Sequence, residues 1–180
     1  MRKLYFIASA LFALALLIAP QRATAQTSIE VGPRIGIDFG DIEEFFIGAE
    51  GRIVSDALPV VVSPAFDFYF VDTGVDGVDQ SIFTVDINAL YEFGVDNQAF
   101  TPYAGGGLGI VRSSVDVEGT DIPGLGTIGG GSDSTTDVGL NLVGGARFET
   151  GTLKPFVQAK INVGGDFTLF GVMGGLLFSF

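Results

Sequence analysis

Eleven charged residues fall at alternate positions within short apolar segments: Glu30, Arg34, Asp38, Glu50, Arg52, Asp67, Asp86, Glu92, Arg147, Glu149 and Lys160. Seven are acids and four are bases. Two chemistries fit such a set. Paired carboxylates such as Asp67 and Asp86 could act as general acid and base. Alternatively, acids and bases could neutralise one another in an ion-paired network. Structural networks also gather carboxylates, and the sequence shows no substrate groove, so ion pairing is the better account. The chain has no histidine and no cysteine. This removes the commonest general base and transition-metal ligand, together with thiolate ligands, disulfides and a cysteine nucleophile. No catalytic residue, cofactor or metal site is assigned, and the chain is not expected to be an enzyme.

A second acidic set lies between the segments: Asp41, Glu43 and Glu44; Asp72, Asp76 and Asp79; Asp116, Glu118, Asp121, Asp133 and Asp137; and Asp166. Arg112 is the one base at their edge. Carboxylate clusters suit hard cations such as Ca²⁺. The stretch Asp72–Asp79 nevertheless lacks the ligand spacing and final glutamate of an EF-hand, and a hydrated acidic rim is the simpler reading. The glycine-rich run Gly124–Ser132 lacks the strand, helix and Lys-Ser/Thr of a phosphate-binding loop. It reads as an extracellular loop tip.

The elements that must position these residues are strands. Beyond residue 26 the apolar pattern has period two, broken by turn-rich stretches. Eight segments follow: Ser28–Phe39, Phe45–Val54, Val60–Val71, Ile82–Phe93, Phe100–Arg112, Val138–Phe148, Pro155–Val163 and Thr168–Phe180. One face of each is apolar, while the other carries Gly, Ser, Asn and opposed charges. Connections after the second, fourth and sixth segments are short. Those after the first, third and fifth are longer, reaching about 25 residues over Ser113–Asp137. Short turns on one side and longer loops on the other characterise outer-membrane barrels.

Thr168–Phe180 contains no Lys, Arg, Asp or Glu and exceeds the roughly 9–11 residues needed to cross a bilayer as a tilted strand. In hydrocarbon such strands must close into a barrel. An eight-stranded interior is just wide enough to be filled by side chains, and charges inside it must be paired. The eleven residues therefore form a plug, or else line a gated cation path; the narrow cross-section favours the plug. A soluble lipocalin-like carrier would also alternate, with its apolar face turned inward.

The first 25 residues carry an address. Arg2 and Lys3 precede an uncharged run from Leu4 to Ala19; Pro20 then breaks it, and Ala23-Thr24-Ala25 supplies a small-residue cleavage pattern. The run is short of the roughly 20 apolar residues of a spanning helix. A signal peptide over 1–25 and one domain over 26–180 are expected. Cleavage would remove three of nine bases and none of 21 acids, leaving a net charge of −15. So acidic a chain has no general attraction for nucleic acid.

Thr101-Pro-Tyr-Ala-Gly-Gly-Gly-Leu-Gly-Ile110, Leu140-Asn-Leu-Val-Gly-Gly-Ala-Arg-Phe148, Lys154-Pro-Phe-Val-Gln-Ala-Lys160 and Gly175-Leu-Leu-Phe-Ser-Phe180 resemble strands of the small OmpA/OmpX-like outer-membrane β-barrels. The resemblance implies an all-β, eight-stranded antiparallel up-and-down transmembrane barrel in the outer membrane, preceded by a cleavable signal peptide. It further implies that the barrel-assembly machinery reads the closing strand, with Gly175, Phe178 and Phe180 as the signal. No peptidoglycan-binding domain is expected after the barrel. The expected role is structural, or surface interaction through acidic loops that face an extracellular ligand, by a monomer seated in outer-membrane lipid. A narrow pore or hydrophobic-ligand conduit is the alternative.

Overall fold

The computed structural model describes residues 27–71, 73–95, 99–122, 126–164 and 167–179. The expected leader with Ala23 and Ala25, and the terminal Phe180, lie outside these residues. Among these residues are ten strands: β1 (Thr27–Asp38), β2 (Phe45–Ser55), β3 (Val61–Tyr69), β4 (Val78–Glu92), β5 (Phe100–Val117), β6 (Thr120–Ile122), β7 (Gly126–Ile128), β8 (Gly131–Phe148), β9 (Leu153–Gly164) and β10 (Phe167–Ser179). Eight of them close a barrel in the order β1-β10-β9-β8-β5-β4-β3-β2, while β6 and β7 form a separate small hairpin. Every pairing is antiparallel, and the seam joins Val31 to Phe178 and Asp38 to Gly171.

The period-two pattern decides which way the wall faces. Successive side chains point to opposite faces of a strand, and here the apolar set points out. Leu140 and Leu142 are each 65% exposed, whereas Arg52 and Asp67 are 0% exposed. This is the reverse of a soluble carrier, whose apolar face lines the interior. Outward aromatics gather at both ends of the wall. Phe39 with Phe170 and Phe68 with Phe70 stand at one end; Tyr91 with Phe93 and Phe100 with Phe148 stand at the other. Such paired girdles mark the two interfaces of a membrane barrel.

The fifth connection differs from the sequence expectation. Ser113–Val117 continues β5 and pairs with Gly131–Thr135 of β8, the register running on to Val117–Gly131. Val78–Ser81 of β4 pairs with the same part of β5. Much of the expected loop Ser113–Asp137 is therefore strand. Backbone pairing in water does not need an apolar face, so Ser, Thr and Asp can continue a hairpin already in register. The result is a three-stranded sheet that projects beyond the barrel: β3 stops pairing with β4 at Tyr69–Ile82, and β9 meets β8 only from Leu140.

Candidate functional site

The interior is layered. At the end away from the two described chain ends, Phe46, Tyr69, Ile82, Val111, Leu169 and Met173 form a buried apolar cluster, with Ile42 and Val71 packed against it. The rings of Phe46 and Tyr69 lie 5.1 Å apart. Toward the terminal end, Val61, Leu90, Tyr103 and Val143 form a second cluster. Between them lies an ionic belt.

Arg34 is the hub of that belt. Its Nε and Nη2 donate to the two carboxylate oxygens of Asp67 at 2.7 and 2.6 Å, and Nη1 donates to Glu50 Oε2 at 2.9 Å. Planar two-point pairing of this kind is what guanidinium supplies and ammonium does not. Lys160 bridges Asp86 Oδ2 at 2.5 Å and Asp67 Oδ2 at 3.5 Å. Arg52 Nε donates to Glu50 Oε1 at 2.9 Å, and its guanidinium carbon lies 4.4 Å from the centroid of the Tyr103 ring and 5.1 Å from that of Phe156. Three carboxylates thus meet three cations, and their side chains are at most 2% exposed.

Neutral groups saturate the remaining oxygens. Ser63 donates to Glu50, Thr84 to Asp67 and Asn141 to Asp86. Asn141 also donates to Asn88 and accepts from Asn162. Glycine makes room for this network. A Cβ at Gly109 would lie 2.5 Å from Asn162 Nδ2 and 2.7 Å from Asp86 Oδ1.

The other charges sit elsewhere. At the terminal mouth, Arg147 pairs with Glu92 and Glu149 at 2.9 Å and with Glu30 at 3.4 Å. Lys154 adds a 2.5 Å contact to Glu30. Lys154 was not among the residues singled out from sequence, because it stood in a presumed turn. Its parity was the available signal: it falls on the same face of β9 as Phe156, Gln158 and Lys160, all buried or half-buried. Asp38 joins neither group; its Oδ1 accepts from Gly40 N at 2.8 Å and shapes the start of the first connection. Of the expected assembly residues, Phe178 is on the lipid-facing side opposite Val31 and Leu153, and Gly175 packs over the Phe156 ring.

The model of the outer membrane protein beta-barrel domain family matches residues 8–174. The chain belongs to that family. A search of curated proteins by sequence finds no significant match. Among solved structures, the barrel is similar to Neisserial surface protein A (NspA), at 14% identity and TM-score 0.63, covering 88% of this chain and all of that one. It is similar too to the N-terminal barrel domain of Pseudomonas aeruginosa OprF, at 15% identity and TM-score 0.59, covering 87% of this chain and all of that one. Ail, the attachment invasion locus protein of Yersinia pestis, matches at 17% identity and TM-score 0.60, covering 88% of this chain and all of that one. At these identities the likeness is one of fold. This outer-membrane barrel places both described ends of its chain at the end where β2 leads to β3, β4 to β5 and β8 to β9 through short connections, which is the periplasmic end in such barrels. The projecting sheet of β4, β5 and β8 then stands on the extracellular side.

That sheet carries Asp79, Asp116, Glu118, Asp133 and Asp137 on or beside its strands, with Asp76 just before it. Arg112 is spoken for: its two terminal nitrogens donate to Thr136 and Ser134 at 3.3 and 3.2 Å. Among the described residues no group of three or more acids converges as a metal-holding set. From Gly131 to Asp137, β8 pairs only with β5 among the described residues, which leaves a hydrated strand edge.

Proposed function

We propose that the protein is a non-conducting outer-membrane barrel that acts at the cell surface through its acidic projecting sheet. The observation that carries this reading is the contrast in neutralisation. The acids of the belt are matched by cations, whereas Asp79, Asp116, Glu118 and Asp133 of the projecting sheet are exposed to water with one engaged arginine among them. A barrel built only to stabilise the envelope needs no such extension. Asp67 and Asp86, a pair with acid-base potential, are held by Arg34 and Lys160, so no catalytic role is assigned to them.

The sign of the charge selects the partner. Ail is solved with sucrose octasulfate, a polyanionic heparin analogue. Here an anion of that kind would meet repulsion from the outer sheet, and a cationic surface or peptide is the matching class. In nanodiscs of zwitterionic lipid, the barrel should bind polylysine and not heparin, with affinity falling as salt rises. Asp116→Asn/Asp133→Asn should weaken that binding severalfold. Polylysine binding no better than to empty nanodiscs would sink the proposal. Planar-bilayer recordings test the other half: at most small and rare conductance is expected, and a stable open channel would overturn the plug.

A further inference from the structure

The lipid-facing wall is not smooth. An apolar groove of about 830 Å³ crosses β10, β1, β2 and β3, with Pro33, Ile35, Ile47, Ala49, Phe68 and Gly174 among its lining residues. Its volume falls in the roughly 300–1,000 Å³ range of small-molecule clefts. The floor is low because Pro33, Ala49 and Gly174 present little side chain. Pro33 also has no N–H to give to β10, and the seam's paired register passes from Val31–Phe178 directly to Arg34–Gly175. At that break the strands approach closely: a Cβ on Gly32 would lie 1.6 Å from the Leu176 carbonyl oxygen, so only glycine fits. Phe66 and Phe68 of β3, with Phe70 just beyond its end, form the opposite wall, each strongly exposed.

We infer that this groove holds one acyl chain of an outer-membrane lipid as a resident ligand. The groove is continuous with the lipid-facing band, and apart from Arg34, whose side chain pairs inside the barrel, its lining residues are apolar or glycine. A flexible hydrocarbon chain can follow an oblique furrow, which a flat barrel wall cannot. A two-fold dimer would set groove against groove, because a two-fold contact uses the same patch on both copies, and would leave the furrow empty. Chains elsewhere on the wall meet protruding side chains such as Leu140 and Leu142 and exchange freely. A chain in the groove contacts protein on three sides and exchanges more slowly.

Native mass spectrometry of the barrel released from its membrane tests this. One lipid per barrel should persist through detergent exchange in the native protein. Ala49→Leu/Gly174→Leu fills the groove; the nearest atom to a Cβ at Gly174 is Phe156 O at 3.5 Å, so the wall need not move. Occupancy in the double variant should fall at least tenfold. Equal retention in both proteins, no retained lipid in the native one, or a native dimer that the filled variant abolishes would each overturn the proposal. A second measurement does not depend on the filled variant folding. With barrels refolded into vesicles of brominated-chain phospholipid and then mixed with unbrominated vesicles, quenching of Phe68→Trp should be lost more slowly than that of Leu142→Trp on the far wall, and equal rates would overturn the assignment.

Discussion

The central belt and the projecting sheet use the same residue types to opposite ends. In the belt, Glu50, Asp67 and Asp86 face Arg34, Arg52 and Lys160 in a space closed to water. In the sheet, Asp79 stands directly opposite Asp116 across β4 and β5, two like charges whose proximity only water makes affordable. The mouth cluster lies between these cases, its acids and bases paired but with side chains 9–33% exposed apart from Glu30. Solvent access therefore decides whether charge in this barrel is structural or available. Where water is excluded, the carboxylates of the belt are each paired with a cation, and Asp38, which has none among the described residues, is held through the backbone N–H of Gly40. Where water is present, pairing contributes little and charge can be spared for a partner.

The comparison predicts a graded series of variants. Arg34→Leu should have the largest effect, since it strands three buried carboxylates on two remaining cations. Breaking a buried pair in this way costs about 3–5 kcal/mol, readable as a lowered urea midpoint for the reconstituted barrel. Arg34→Leu/Asp67→Leu should recover much of that loss, because both partners go together. A single variant within about 1 kcal/mol of native would show that water reaches the belt. Arg52→Leu should come next. It removes one charged hydrogen bond and the stacking on Tyr103 and Phe156, together about 2–3 kcal/mol. Arg52→Lys keeps the charge but loses the planar fork; full rescue by lysine would show that stacking contributes nothing. Arg147→Ala at the mouth should cost about 1 kcal/mol, and 1 M salt should shrink the difference. A salt-insensitive loss would place the mouth with the belt.

What the sequence made legible follows the same division. Inside the membrane one face must be apolar, so the period-two pattern survives and exposes both strand and phase; Ser28–Phe39 against the observed Thr27–Asp38 is typical. The identity of the pairs was not legible. Closure joins residues far apart in sequence, such as Arg34 with Asp67 and Lys160 with Asp86, separated by 33 and 74 positions. The apolar inner face of the closing strand at Leu169 and Met173 was likewise hidden, since its cause is the Phe46–Tyr69 cluster across the lumen. The projecting sheet was missed altogether as strand. Asp116–Val117 and Gly131–Thr135 are exposed whichever face they are on, and nothing there imposes alternation.

The smallest predicted effect is the one that separates the two regions most sharply. Asp116→Asn should leave stability within about 0.5 kcal/mol, as surface substitutions do, and the sign should be positive. Removing one of two like charges directly opposite each other relieves repulsion worth a few tenths of a kcal/mol. Asp67→Asn in the belt is a change of the same chemical size, yet it should destabilise strongly, because it leaves Arg34 without its two-point partner. Measured side by side at low salt, the two variants should differ in sign. If Asp116→Asn destabilised the barrel by 1 kcal/mol or more, its carboxylate would be paired after all, and the projecting sheet would be part of the scaffold.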